Sequence, residues 1–356
     1  MQEMISTHPR YAGLDAYFRR HQVTRLLLVC GSSMQQLPLY RYFSELENRC
    51  GIRVTPFSAF HPNPEWHSVQ LGAALCTAHG CNGITAVGGG SAIDVAKCIW
   101  LEAGKPSTPL LAIPTTAGSG SETTSFAVVY KDGVKQSRSG CLPSGVLLDP
   151  ELLRTLPEYQ RKATLLDALC HGIESRWSVH ATGESRGYAV QAIRQVLEHA
   201  QAYLANRDTG NAGMLHAANL AGRAINLART TAAHAMSYQL TARCGIAHGH
   251  AAGLCLAAVF DELVDRSHQP EAPPALSAAL EDIADAMGCP DPPSASEAFR
   301  SFLAWLQLPV PAVGPDVTPE ALAATVNPER LANTPVTLDE TTLCRLYRSI
   351  LSQISH

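Results

Sequence analysis

Asp167 and His171 stand four residues apart in the helical stretch from Leu166 to Glu174, so both side chains share one face and can point at one centre. Glu174, three residues further on, is placed to support that centre from behind. A second apolar helical segment, Thr230 to Tyr238, carries His234. Its pattern breaks at Cys244-Gly245, and Ile246-Ala247-His248-Gly249-His250 opens the next element. The break lets His248 fold back towards His234. Asp167, His171, His234 and His248 together offer one hard oxygen and three borderline nitrogens, a donor set suited to Fe(II) or Zn(II) with a position left for substrate. Each histidine alone is more simply a satisfied core imidazole. Four such residues in apolar helices are costly to bury without a shared partner, which favours a metal.

A different chemistry is legible earlier in the chain. Gly88-Gly89-Gly90-Ser91 follows a strand-like run and opens a helix, so bare backbone and a helix N-terminus can approach a pyrophosphate. Ser91 and Asp94 have the spacing of a capping box and are expected to fix that N-terminus. Gly88 and Gly90 fit the first two positions of the dinucleotide fingerprint, but Ile93 stands at the third and no acidic residue follows at the usual distance. A tight turn without a ligand is the competing reading. The next strand ends in Ile113-Pro114-Thr115-Thr116 and continues through hydroxyl- and glycine-rich residues to Thr124. Such a loop belongs on the ligand edge of a parallel sheet, and with the glycine turn it suggests a nucleotide lying across that edge.

These groups need a frame. Apolar strand runs at Arg25–Cys30, Ile52–Phe57, Gly83–Val87 and Pro109–Ile113 alternate with helical stretches at 37–49, 66–79 and 92–102, the pattern of parallel βαβ units. Residues 128–136, with a turn at Lys131-Asp132-Gly133, are expected to add a hairpin near the sheet edge. After Pro150 the strand signals stop and Ala- and Leu-rich helical periodicity takes over, as in 186–204 and 212–227. The expected architecture is an α/β nucleotide-binding domain over 1–155 and an all-α metal and substrate domain over 156–356, with the cleft between such domains a natural ligand site. Net charge is −4, from 27 Lys+Arg against 31 Asp+Glu, and no basic run stands out, so no nucleic-acid partner is expected. The longest apolar run, 251–260, is about half a membrane span, and residues 1–20 lack the apolar core of a secretory signal. Eleven cysteines without a CxxC pair read as reduced thiols of a cytoplasmic protein.

The run Gly88 to Lys97 resembles the GGGSxxDxAK turn of the iron-dependent (group III) alcohol dehydrogenases, and Ile113 to Glu122 resembles their IPTTAGTGSE loop. Asp167, His171, His234 and His248-Gly249 match that family's metal ligands in type, order and spacing. The resemblance covers nearly the whole chain. It implies a nicotinamide cofactor held by Gly89, Gly90, Ser91, Thr115, Thr116, Asn63, Thr124 and Lys135, with Asp94 counted with the same turn. It also favours a homodimer. Many members carry Asp after the first strand to hold the adenosine ribose. Here that place is Gly31, so NADPH is open beside NADH. Many members also have a second histidine one turn after the first; here Tyr238 stands there, leaving Tyr238 or His250 to relay the proton.

Just before the His234 helix, where most members are small and apolar, this chain has Arg229, Thr230 and Thr231, with Arg223 two turns upstream. An arginine with hydroxyls suits a phosphonate or carboxylate; a structural salt bridge is the plainer role for Arg229. This segment, with Gly245 to His250 and Leu331 to Val336, resembles the phosphonoacetaldehyde reductase branch of the family. The expected activity is therefore metal-dependent reduction of a small anionic aldehyde, phosphonoacetaldehyde to 2-hydroxyethylphosphonate. The alternatives are a dehydrogenase of a neutral alcohol, diol or carboxylated substrate, a lyase like dehydroquinate synthase, and a non-catalytic metal-binding assembly protein.

Overall fold

The computed structural model describes residues 2–7, 11–104, 107–132 and 134–354. The chain divides into two compact units, Met1–Leu156 with Asn206–Asn219, and Pro157–Ala205 with Leu220–His356.

The first unit runs β1 (Glu3–Ile5), α1 (Ala12–Arg20), β2 (Arg25–Cys30), α2 (Leu39–Ser44), α3 (Leu46–Cys50), β3 (Arg53–Phe57), α4 (Trp66–Ala78), β4 (Gly83–Gly88), α5 (Gly90–Glu102), β5 (Leu110–Pro114), β6 (Phe126–Lys131), β7 (Val134–Ser139) and β8 (Gly145–Leu147). Six strands form one parallel sheet in the order β1-β8-β5-β4-β2-β3. Both faces are covered, and successive residues of β2 feed opposite cores: Leu26 and Leu28 join one apolar cluster, Leu27 and Val29 the other. From β2 the chain adds β3 on one side and then crosses to add β4 and β5 on the other. That reversal opens a crevice beyond the carboxyl ends of β2 and β4, where ligands of such sheets bind.

Three details differ from expectation. The hairpin is a separate two-stranded antiparallel sheet of β6 and β7, because β8 and β1 occupy the edge of the main sheet beyond β5; Gly133 of its expected turn lies outside the described residues. Those two edge strands have three residues each, too few for a periodic signal. The helix expected over 37–49 is two, α2 and α3, meeting at Glu45.

A buried polar network ties α5 to the threonine loop. Lys97, wholly inaccessible, donates to Ser121 Oγ at 3.2 Å, Thr124 Oγ1 at 2.9 Å and the Phe126 carbonyl at 2.9 Å. Asp94 accepts from Ser121 Oγ at 2.5 Å and from the Val128 amide at 3.0 Å. Burial pushes the Lys97 ammonium down against the pull of Asp94, and it pushes Asp94 up against Lys97. The expected capping box does not form. The N-cap of α5 is Gly89 and no side chain caps it, because Asp94 turns to Ser121 and Val128 instead. Lys97→Met should therefore strip a donor from Ser121, Thr124 and the Phe126 carbonyl, leave Asp94 without its buried counter-charge, and lower stability by on the order of 3 kcal/mol in a denaturant melt.

The second unit is helical: α6 (Glu158–Trp177), α7 (Gly183–Leu204), α8 (Asp208–Ala228, whose first part counts with the other unit), α9 (Ala232–Cys244), α10 (His248–Ser267), α11 (Pro274–Met287), α12 (Pro292–Trp305), α13 (Pro319–Ala323), α14 (Pro328–Leu331) and α15 (Glu340–Ile354). Buried over most of its length, α6 packs against α7, α10 and α11 as a central core helix. Gly245, at φ 65°, ends α9 in the left-handed region that favours glycine and turns the chain into α10. Gly249 then lets α10 meet α6 closely: a Cβ there would stand 1.9 Å from the Ala163 carbonyl oxygen and 2.8 Å from Asp167 Cβ. Backbone cannot yield as a flexible side chain does. Gly249→Ala should force α10 from α6, lowering stability by about 2 kcal/mol in a denaturant melt and displacing His248. Among the described residues no helix is long and apolar enough to cross a membrane.

Candidate metal and nucleotide sites

Three elements of the helical unit converge on one point. Asp167 comes from α6, His234 from α9 and His248 from the first turn of α10, and their ligand atoms all lie within 4.8 Å of one another. Asp167 Oδ1 is 3.4 Å from His234 Nε2 and 4.0 Å from His248 Nε2. Asp167 and His234 are buried, and neither Asp167 Oδ1 nor His234 Nε2 makes a hydrogen bond among the described residues. Two buried, mutually facing polar atoms without hydrogen bonds fit a divalent cation between them. His171 is set slightly apart. Its Nε2 is 3.9 Å from Asp167 Oδ1, but its ring stacks on that of His234 at 4.5 Å and 15°, so it lies outside the mutually close trio.

Behind the trio, Glu174 is fully buried and organises His234. Its Oε2 receives His234 Nδ1, which turns the Nε2 lone pair towards the centre. Its Oε1 accepts from Thr231 Oγ1 at 2.6 Å, the Thr231 amide at 3.0 Å and the His234 amide at 3.3 Å. Trp177 Nε1 donates in turn to Thr231 Oγ1 at 2.9 Å. Burial raises both carboxyls, yet the surrounding imidazoles hold Asp167 and Glu174 below the usual carboxylate range. Burial would likewise depress His234, but Glu174 pulls it up to about 9. The two carboxylates thus create a field that calls for positive charge at this point.

The other expected groups around the centre fall into distinct places. Tyr238 stacks parallel on His248 with ring centres 5.5 Å apart, and its hydroxyl accepts from Arg330 at 2.7 Å. His250 is buried. Its Nδ1 faces the Tyr159 hydroxyl at 3.2 Å, and burial pushes the ring down to about 4. That same hydroxyl accepts the Ala247 amide at 2.9 Å, so the pair pins the turn that delivers His248. The four residues expected to hold an anion lie in separate local surroundings. Thr231 has one hydroxyl proton, and it goes to Glu174. The Thr230 carbonyl receives Asn333 Nδ2 at 2.9 Å. Arg229 is exposed, with φ 66°, and its amide closes α8 on the Ile225 carbonyl. The guanidinium of Arg223 lies 5.9 Å from the Tyr188 ring centre. Trp177, Tyr159 and Arg330 went unnoticed in the sequence, and no spacing marks them.

In the α/β unit, the register pairs Cys30 with Val87 and Gly88 with Pro114, which sets Gly31, the glycine turn and the threonine loop side by side. The Thr115 amide donates to the Gly88 carbonyl at 3.0 Å. A Cβ on Gly89 would meet Thr116 at 3.2 Å, and one on Gly90 would meet Ser119 Oγ at 2.9 Å, so this close approach needs glycine. Gly31, Gly89, Gly90, Ser91, Thr115 and Thr116 are all half-buried along this edge, a bare-backbone cradle that fits a pyrophosphate. Thr124 and Asp94 belong instead to the Lys97 network beneath it. Asn63 is exposed at φ 58°, and Lys135 is half-buried on β7 and acts on Asp94 through its charge.

Residues 2–150 match the family model of the iron-containing alcohol dehydrogenases, and residues 162–351 match the C-terminal model of the same family. The chain belongs to the iron-containing alcohol dehydrogenase family of oxidoreductases. It is similar to the choline dehydrogenase of Bacillus subtilis, 33% identical over 267 residues, which are 68% of this chain and 65% of that protein. It is also similar to the phosphonoacetaldehyde reductase of Streptomyces viridochromogenes, 40% identical over 157 residues, or 42% of this chain and 40% of the relative. Both matches span less than two thirds of the relative's length. The solved sulfoacetaldehyde reductase from Bifidobacterium kashiwanohense in complex with NAD+ superposes with a TM-score of 0.83 at 25% identity, covering 99% of this chain and 97% of that one.

Loss of the Thr231 hydroxyl should release Glu174 from one of its donors and loosen His234. Thr231→Val is expected to weaken metal binding roughly 10-fold or more, read by competition against a chromogenic chelator; unaltered affinity would detach Thr231 from the metal centre.

Proposed function

We propose that the protein is a metal-dependent, nicotinamide-linked reductase of small anionic aldehydes, with phosphonoacetaldehyde and its alcohol, 2-hydroxyethylphosphonate, as the best-matched pair. The observation that carries the metal-dependent reading is the trio Asp167, His234 and His248 with its two buried polar atoms unsatisfied. Support for the anionic class comes from the phosphonoacetaldehyde and sulfoacetaldehyde reductases among the similar proteins. A divalent cation, iron or zinc, supplies Lewis-acid chemistry at this trio, and NADH or NADPH supplies the hydride. Asp167, His234 and His248 hold the ion, with His171 beside them, and Glu174 keeps His234 in the ligating tautomer. Gly31, Gly89, Gly90, Ser91, Thr115 and Thr116 hold the cofactor's phosphates and ribose, with Asn63 and Lys135 at the margins. Reduction consumes one hydride and one proton per aldehyde, and Tyr238 Oη holds that proton beside His248. Buried and tied to Tyr159, His250 serves the turn rather than the proton. In the same reading the enzyme is cytoplasmic, in keeping with its reduced thiols, and a homo-oligomer, a dimer or larger, as the family resemblance favours.

A second reading has its own observation. Choline, the substrate named for the Bacillus relative, carries a quaternary ammonium, and a site built for it would reject an anion. The deciding experiment compares initial rates of phosphonoacetaldehyde and propanal reduction and of choline oxidation, with iron- or zinc-loaded protein and each cofactor. Preference for phosphonoacetaldehyde by tenfold or more is expected; faster turnover of choline or propanal would end the anionic assignment. His234→Ala should abolish metal retention and turnover together, and a fully active variant would end the metal assignment.

A further inference from the structure

The segment 328–334 brings an arginine to the rim of the metal trio that no sequence spacing foretells. Helix α14 packs against α9, and Asn327 Oδ1 fixes its start by accepting the Arg330 amide at 3.1 Å. The Asn333 side chain ties the same segment to the Thr230 carbonyl at 2.9 Å, immediately before the His234 helix. From this anchored turn Arg330 Nη1 donates to Tyr238 Oη at 2.7 Å, and the guanidinium carbon sits 5.3 Å from the Tyr238 ring centre. Tyr238 in turn stacks on His248. Two ring contacts therefore separate a cation from a metal ligand.

Arg330 is half-buried, and among the described residues no carboxylate pairs with it. One of its five N–H donors goes to Tyr238, so the fork retains donors for a ligand. A second polar group in the same segment also lacks a partner. Thr334 is 5% exposed and its hydroxyl has no hydrogen-bond partner among the described residues. A half-buried guanidinium without an acid, beside a centre that would hold a divalent cation, adds positive charge to its rim. Such a rim selects a substrate whose far end is an oxyanion, and a planar fork recognises tetrahedral oxygens in pairs.

We propose that Arg330 is the specificity-determining residue of this enzyme, binding the phosphonate or sulfonate end of a short aldehyde while the aldehyde end lies at the Asp167, His234 and His248 trio. The assignment rests on the reductase reading above and replaces Arg229 as the anion holder. An acidic tail makes a charge-assisted pair with Arg330, whereas a neutral aldehyde leaves the guanidinium unpaired beside the cation.

The test joins a binding measurement to a kinetic one. Ethylphosphonate and ethanesulfonate, which cannot be reduced, are titrated calorimetrically into the metal-loaded full-length protein, the Arg330→Met variant and the Arg330→Lys variant. In parallel, kcat/KM is measured for phosphonoacetaldehyde and propanal, with metal content checked in every sample. Arg330→Met should weaken the better-bound probe roughly 10- to 100-fold, and it should cut kcat/KM for phosphonoacetaldehyde at least tenfold more than for propanal. Arg330→Lys, which keeps the charge but not the fork, should recover part of both. The probe that binds more tightly identifies the anion as phosphonate or sulfonate. Unchanged probe affinity in Arg330→Met, or equal kinetic losses on both aldehydes at equal metal content, would overturn the assignment. If the native protein reduces neither aldehyde while probe binding still depends on Arg330, the anion site stands and the reductase reading fails.

Discussion

Two carboxylates on one buried helix dominate the second unit. Asp167 and Glu174 both lie on α6 and both are buried, and carboxylates removed from water must be compensated. The compensation comes from α9 and from the first turn of α10, which present His234 and His248 to them. The helix ends, the left-handed Gly245 and the bare Cα of Gly249 follow from that need, because each brings an imidazole or its carrier within reach of α6. Charge therefore dictates the packing here, and a cation at the trio would complete it.

The α/β unit solves a related problem by other means. A phosphate cradle requires backbone without side chains, and backbone without side chains is loosely held. The structure stiffens it from below. Lys97 and Asp94 gather Ser121, Thr124, Phe126 and Val128 into one buried network, so the threonine loop is fixed against the helix that follows the glycine turn. The glycine turn and the first threonines stay half-buried at the edge, while the motif residues beneath them act as their support.

Fold and site were unequally legible in the sequence. The strands β2, β4 and β5 were readable because each is a nearly continuous buried run covered on both faces, and alternate residues of β2 serve two cores. The three-residue β1 and β8 were not, since their length carries no period, and their absence from the reading misplaced the hairpin. The helical unit was readable as helix but not as packing. Asp167 with His171 was visible as a spacing of four, yet the mutually close trio joins Asp167 to His234 and His248 from other helices.

What the sequence by itself determined was the kind of chemistry: one carboxylate with several imidazoles, a glycine turn after a strand, and a hydroxyl-rich loop after the next. Periodicity within one element is a local property, set by 3.6 or 2 residues per repeat, and it survives without knowledge of the rest of the fold. Which groups meet across elements was decided only by the tertiary structure. Thr231 reads as a ligand for an anion until Glu174 and Trp177 are seen to occupy it. Arg229 reads as a cation at the centre until it is found exposed at the end of α8. Arg330 lies 92 residues from Tyr238 in the chain and 2.7 Å from it in space, a closeness that exists only because α14 packs on α9.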